Sequence, residues 1–481
     1  MTSPRYAARG LAALICAALC ACSGARSWSQ VSMPVADAAT PGPRQVAGSP
    51  IAHVIVVIQE NRSFDNLFAS SILANGKPYP GADATQTADI DGKQIAMRST
   101  PFEYPADPDH SHAALVAEWN DGKMDGFPKD TVYPNPGFPS PPPNFPLAYV
   151  PDYETIVYHT LAQHYALADH NFAPRLTPTF PGHVFLVAAR SLPADDPTDP
   201  VNWGCDSKKG TTVGIFAHHG EREILPGVFP CFDYPTIADL LDAKGVSWKY
   251  YTGAIGNVTD AAVNVYDAMK RIRYSPDWAS NVSTPTSNVL SDIQNCRLPQ
   301  VSYVTPTWLN SDHAGDLSDG GPGWVGSLYL AIEQSQLSKY PNCRYYNDTA
   351  TILTWDDSGG WYDHVAPPPG PGSTSWGFRI PIVVISAYAR SNYVAKGRFT
   401  PYVSHTVRET TSILRYIEKN FALGNLGQRD AIGDDLHDMF DYQRKTPIPP
   451  VSELAVAAMI RKTTFDLATT MHDTHVVDDD R

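Results

Sequence analysis

Two apolar runs in this chain each end in a pair of oxygen-bearing side chains. His53-Val54-Ile55-Val56-Val57-Ile58 leads through Gln59 to Glu60-Asn61, and Ala350-Thr351-Ile352-Leu353-Thr354-Trp355 leads to Asp356-Asp357. Hard divalent cations take oxygen ligands, and side chains at the ends of neighbouring strands can meet around one ion although some 295 residues of chain separate them. The same residue types also cap helices and turns, so spacing alone leaves both readings open. Adjacent carboxylates repel unless a cation or protons lie between them, which favours the ion for Asp356 and Asp357. Gly359-Gly360 permits a tight turn behind that pair, and the turn can bring His364 into the same space. Three further segments place histidines in polar, loop-like sequence: Asp107-Pro108-Asp109-His110-Ser111-His112, Asn310-Ser311-Asp312-His313 and Ser404-His405. A ring N–H or imidazolium there can stabilise charge building on a phosphate ester; each can equally be a surface residue. His159, His164 and His170 lie on or just after an expected helix and read as structural. For the nucleophile the residues decide less. Thr179, in the Pro-flanked segment Ala173 to His183, reads from pattern alone as a helix N-cap. No G-x-S-x-G elbow occurs, so serine-hydrolase chemistry is not indicated.

The elements that must position these residues are strands and helices in alternation. The runs at 53–58, 350–355 and 380–386 are nearly continuous and β-branched, the pattern of strands covered on both faces, with Pro381 placed at the beginning of the last. Apolar residues at helical spacing predict helices over 152–168, 236–244 and 410–421. Strands separated by helices indicate an α/β fold with a mainly parallel sheet, which binds ligands at the carboxyl ends of its strands. Residues 134–151 hold eight prolines and predict an extended surface loop without helix or strand.

With 481 residues, 43% hydrophobic and 18% charged, the chain can bury a large core. A formal charge of -14 and the lack of any Lys/Arg-rich run exclude nucleic acid as a partner. Arg5 and Arg9 precede a short apolar stretch, Leu11 to Ala21, which reads as an export signal over 1–22. Leu19-Cys20-Ala21-Cys22 resembles a lipoprotein cleavage box, making lipidation of Cys22 one route to a membrane anchor. Residues 23–50 read as a tether and 51–481 as one catalytic domain. Cys205, Cys231, Cys296 and Cys343 suggest two disulfides in an exported chain; loop length favours Cys205 with Cys231 and Cys296 with Cys343 among the three pairings. No CxxC occurs, so a zinc-thiolate site is not expected.

Five blocks in order resemble the bacterial phosphoesterase family, which contains the non-zinc phospholipases C and related acid phosphatases. They are Glu60-Asn61-Arg62-Ser63-Phe64-Asp65, Trp119 to Phe127, Thr179-Phe180-Pro181-Gly182-His183, Asp312-His313 and Thr354 to Val365, and the likeness runs on to Ser412–Phe421. The resemblance implies an alkaline-phosphatase-like three-layer α/β sandwich with long loop insertions. It also implies one divalent metal ion held by Glu60, Asn61, Asp356 and Asp357, and Thr179 as a nucleophile that is transiently phosphorylated. His110, His313 and His364 would contact the phosphoryl group or protonate the leaving alcohol, with His110 preferred over His112 because Asp-His-Ser is the part that matches. Gly182 departs from the pattern, where the family usually has Asn. The expected activity is that of an acid phosphatase on phosphomonoesters, from the likeness of His405 and of Val304 through His313 to that branch. Cleavage of phospholipid head groups by a phospholipase C is the alternative, and a surface lipoprotein that has lost catalysis, resting on Gly182, is the third. The partner is then a small phosphate ester or a phospholipid, and the enzyme is exported: periplasmic, lipid-anchored or secreted.

Overall fold

In the computed structural model of this chain the described residues run from 48 to 460, apart from 71–76, 84, 192–193, 195, 198–202, 217–223, 254–257, 316, 371–375 and 395–397. The expected export signal, Cys22 and most of the expected tether lie outside the described residues. Eight strands form the central sheet: β1 (His53–Gln59), β2 (Ala166–Ala168), β3 (Trp248–Tyr251), β4 (Val282–Ser283), β5 (Val301–Val304), β6 (Thr349–Trp355), β7 (Ile382–Ser386) and β8 (Tyr402–Ser404). Their order is β4-β3-β5-β1-β6-β7-β2-β8. All neighbours are parallel except the two pairs that β7 makes with β6 and β2. Every residue of β6 and all of β1 beyond His53 are buried, which is why their sequences are apolar throughout rather than alternating.

Helices cover both faces. On one, Val325, Leu328 and Ile332 of the helix Gly320–Gln334 share a small interior cavity with Val57, Thr351 and Ile385 of the sheet. On the other, the helix Thr179–Ala188 receives a hydrogen bond from Tyr303 Oη to Leu186 O at 3.0 Å. The result is the mainly parallel α/β fold expected from the residues, in the three layers that the family resemblance implies.

Two sequence expectations need correction. The helix expected over 152–168 occupies only Ile156–His164, and Ala166–Ala168 forms β2 between β7 and β8. Leu167 fits either period, and burial of all three residues against the neighbouring strands decides for the strand. The proline-rich segment is a surface loop only in its first half, where Phe138 is exposed; Phe145, Leu147, Ala148 and Val150 are buried. Ala148–Tyr149 pairs in parallel with Arg98–Ser99, and the Phe145 ring packs 5.1 Å from that of Trp361. Proline fixes an extended backbone, and the non-proline amides between still donate, Val150 N to Asn66 O among them. The helices expected near 236–244 and 410–421 form over Ile237–Lys244 and Ser412–Asn420.

Both disulfides join as loop length suggests: Cys205 to Cys231 with Cα atoms 4.5 Å apart, and Cys296 to Cys343 at 4.8 Å. Closing loops of 26 and 47 residues is worth about 3.5 and 4 kcal/mol by chain entropy alone.

Candidate metal and phosphoryl site

The register of β1 against β6 builds the site. Gln59 pairs with Trp355 in a parallel ladder, so the next residues of each strand, Glu60 and Asp356, emerge side by side at its carboxyl end. Side chains alternate across a sheet, which sends Gln59 and Trp355 to one face and Glu60 and Asp356 to the other. On the first face Trp355 Nε1 (2.9 Å), Tyr158 Oη (2.8 Å) and Gln59 Nε2 (3.3 Å) all donate to the Asp312 carboxylate. Burial pushes that carboxyl up to about 7. The knot ties down the loop that carries His313.

On the second face Asn61 N donates to Asp356 Oδ1 at 3.0 Å. Thr179 Oγ1 lies 3.4 Å from both Glu60 Oε2 and Asn61 Oδ1. Thr179 is the first residue of its helix; Pro178 takes the N-cap position, and Asp196 Oδ1 accepts from Phe180 N at 2.7 Å in the first turn. The hydroxyl therefore faces the carboxylates instead of the helix backbone. Asn61 has φ +60, a left-handed conformation that asparagine tolerates. Its amide is oriented by His110: Nδ1–H of His110 donates to Pro108 O at 2.8 Å, so Nε2, 2.9 Å from Asn61 Nδ2, accepts and leaves Oδ1 toward Thr179. The glycine pair behind Asp356-Asp357 is a packing requirement. A Cβ at Gly359 would stand 2.3 Å from Asn61 O, and one at Gly360 2.8 Å from Pro108 Cβ, so the turn closes on both neighbours of the site only without side chains.

Glu60, Asp356 and Asp357 are at most 2% exposed. Asp356 Oδ2 is buried and, among the described residues, has no hydrogen-bond partner. Burial, aided by the charge of Glu60, pushes the Asp356 carboxyl up to about 7. A buried carboxylate group with an unsatisfied oxygen and a mutual repulsion fits a divalent cation, with Asn61 Oδ1 as a neutral oxygen donor. Asp357 is buried beside this group, its Oδ1 accepting Gly359 N–H at 2.7 Å.

The expected site residues thus fall into two groups. Glu60, Asn61, Asp356 and Thr179 come together, joined by His110 and, with rings 5.4 Å from those of His110, by His313. Asp107 lies between the two imidazoles, 4.0 Å from His110 Nδ1 and 3.7 Å from His313 Nδ1. His364 belongs to a second cluster, with Asp65 and Asp363; among the described residues its hydrogen bonds go to Asp65 and Arg379. His405 pairs with Asp169, as does His170. His159 and His164 are buried structural residues, bonded to Thr155 Oγ1 and Pro449 O, and burial holds them down at about 3 and about 4.

The profile of the Phosphoesterase family matches residues 51–424. The chain belongs to that family. It is similar to phospholipase C A of Mycobacterium tuberculosis, 25% identical over 82% of this chain and 77% of that one. It is also similar to the hemolytic phospholipase C of Pseudomonas aeruginosa, 23% identical over 82% of this chain and 56% of that one, and to non-specific phospholipase C1 of Arabidopsis thaliana, 24% identical over 81% and 70%. Among solved structures it resembles a protein in the alkaline phosphatase superfamily from Vibrio parahaemolyticus, with TM-score 0.35, 13% identity and 82% of this chain and 70% of that one covered. The protein is a phosphoric ester hydrolase.

Two features of this phosphoesterase escaped the sequence reading. One is His183, whose Nε2 lies 2.9 Å from Glu60 Oε1 and 3.8 Å from Asp356 Oδ2. Burial holds it down at about 4 against the pull of Asp356, so the ring is neutral. Its spacing of four residues from Thr179 on one helix was the available signal. The other is the support of His364. Its Nδ1–H donates to Asp65 Oδ2 at 2.6 Å, Arg379 holds Asp65 Oδ1 at 3.2 Å, and Arg379 Nε donates to Asp363 Oδ1 at 3.0 Å. Asp65, Asp363 and Arg379 are fully buried, while the His364 side chain is half-buried. Desolvation is the largest influence and lowers the His364 pKa, but the hydrogen bond to Asp65 together with the charges of Asp65 and Asp363 outweighs it, and the net shift is upward.

Proposed function

We propose that this phosphoesterase transfers a phosphoryl group to Thr179 and then to water, and that its substrate presents a phosphate with a single negative charge. The observation that carries the reading is the convergence of Thr179 Oγ1 on Glu60 and Asn61, beside the buried Asp356. A divalent cation held by Glu60, Asn61, Asp356 and Asp357 would acidify the Thr179 hydroxyl and offset charge on a phosphoryl oxygen. Thr179 Oγ1 gives its proton to Glu60 Oε2 and forms the new P–O bond as the bond from phosphorus to the leaving oxygen breaks, and His364 Nε2, its ring held by Asp65, gives that oxygen a proton. His364 then takes a proton from the water that hydrolyses the phosphothreonine. His313 lies against this space from the neighbouring loop, and His110 keeps the Asn61 oxygen aimed. Residues 51–481 make up the catalytic domain, delivered by an export signal and, through Cys22, a lipid anchor; the two disulfides suit an oxidising compartment.

The charge balance supports the substrate class. Three carboxylates against one divalent ion leave a net negative site, which receives a monoanion better than a dianion. A phosphodiester is a monoanion throughout the physiological range, and relatives named phospholipase C favour a phospholipid head group. A phosphomonoester is a monoanion only below about pH 6, which keeps acid phosphatase as the second reading. Of the two likenesses behind that reading, His405 sits in the separate Asp169 cluster. Gly182 packs against the strand end, where a Cβ would stand 3.2 Å from Asp356 O, and gives the impaired-lipoprotein reading little support. The test is release of p-nitrophenol from its phosphorylcholine diester and from its monoester between pH 5 and 8. The diester is expected to exceed the monoester roughly tenfold or more at pH 8, with the monoester gaining only as the pH falls toward 5. A monoester preferred at pH 8 sinks the charge argument, and inertness of metal-loaded protein toward both revives the impaired reading.

The His364 assignment makes a separate prediction. A general acid must be protonated, so a raised pKa extends turnover to higher pH. Asp65→Asn removes the partner that raises it, leaving Asp363 and Arg379 as the facing charges. The alkaline limb of the kcat profile is expected to move to lower pH; an unmoved limb assigns the proton to another group.

A further inference from the structure

We propose that His183 is itself a ligand of the cation, through Nε2, and that it turns an oxygen site into one that prefers borderline transition-metal ions such as Zn²⁺ to Mg²⁺. This rests on reading the Glu60, Asn61 and Asp356 cluster as a metal centre.

Thr179 and His183 stand one turn apart on the helix Thr179–Ala188, so they share a face, and that face looks onto the strand ends. Donors that share an ion with bonds of ~2.0–2.2 Å lie within ~4.4 Å of one another. His183 Nε2 meets this limit with both carboxylates, at 2.9 Å from Glu60 Oε1 and 3.8 Å from Asp356 Oδ2. Asp356 Oδ2 is the same buried oxygen that has no hydrogen-bond partner among the described residues. The rest of the imidazole is idle: Nδ1 is buried and also lacks a hydrogen-bond partner among the described residues. Among the described residues, the nitrogen with polar company is the one that faces the carboxylates.

Gly182 completes the device. A Cβ there would stand 3.2 Å from Asp356 O and 3.6 Å from Asp356 Cβ, so a larger residue would need a shift of a few tenths of an ångström between helix and strand end. Glycine permits the close seat from which the following imidazole reaches the carboxylates. Carboxylate and carbonyl oxygens suit Mg²⁺ and Ca²⁺, and adding imidazole shifts preference toward Zn²⁺ and Fe²⁺.

Two measurements on the full chain test this. Wild-type protein stripped by chelation and titrated with Zn²⁺ and Mg²⁺ is expected to favour Zn²⁺, and His183→Gln to narrow that preference by roughly 10–100-fold. An equal loss of affinity for both ions overturns the proposal and makes His183 a residue that merely positions Glu60. Because a buried histidine variant can fail to fold, the second measurement uses wild type alone. Pulsed EPR of the Mn²⁺-loaded protein is expected to show the ¹⁴N coupling of a directly bound imidazole. A bound ion without that coupling refutes the role of His183 only; a protein that binds no ion refutes the metal-centre reading and this proposal with it.

Discussion

Thr179→Ala is expected to lower kcat by roughly 10⁴- to 10⁶-fold, because it deletes the atom that accepts the phosphoryl group. The substitution should leave the fold intact. Pro178 holds the N-cap position, no helix N–H depends on the Thr179 hydroxyl, and its two polar neighbours, Glu60 and Asn61, keep their bonds to His183 and His110. Metal content should be close to wild type, which separates loss of the nucleophile from loss of the site. Thr179→Ser keeps the hydroxyl and should retain most of the activity. Acid quenching during turnover, followed by peptide mass spectrometry, should find one phosphoryl group on the peptide containing Thr179 in wild type and none in Thr179→Ala. Unchanged turnover in the alanine variant would falsify the assignment and direct attention to Thr177, also buried in the loop ahead of the helix.

How much of this was legible in the residues depends on how local each signal is. The apolar runs that became β1 and β6 declare buried parallel strands by their own composition, and their polar ends mark the carboxyl edge of a sheet. Adjacency of β1 and β6 is not a local property. It comes from the ladder that pairs Gln59 with Trp355, and without it Glu60 and Asp356 are only two strand ends far apart in the chain. Ala166–Ala168 reads as part of the preceding helix because three apolar residues are too few to show a period. His364 shows the same limit. It follows Asp356-Asp357 closely in the chain, but the Asp65 carboxylate that holds its ring at 2.6 Å lies 299 residues away and is not announced by the His364 segment. Asp65 and Arg379 are separated by 314 residues, and nothing in either segment alone announces a buried ion pair. Thr179 read as a cap because its segment has the composition of a helix start; only Pro178 in the cap position shows that the hydroxyl is spare.

Asp356→Asn is expected to abolish activity and, in the absence of metal, to stabilise the protein. Both follow from one carboxylate. Asp356 is buried, with Oδ1 bound to Asn61 N and Oδ2 without a hydrogen bond among the described residues, so its charge calls for a cation or a proton. In the metal-free chain, burial and the charge of Glu60 raise its pKa from 3.8 to about 7. The folded state then binds a proton that the unfolded state gives up, so the stabilising effect of protonation is complete below 3.8 and is lost as the pH rises through about 7. Chelated wild type should therefore lose stability between about pH 4 and about pH 7, whereas chelated Asp356→Asn, which has no proton to lose at this position, should show a flatter profile. At pH 8 its Tm should lie above that of chelated wild type by about 1–4 °C or more. Saturating metal should reverse the order, because an ion that binds only the folded state stabilises it and the variant should bind the ion more than roughly 100-fold more weakly. A chelated wild type as stable at pH 8 as the variant would mean that protein groups alone compensate the Asp356 charge, and the case for a cation at the ends of β1 and β6 would fall with it.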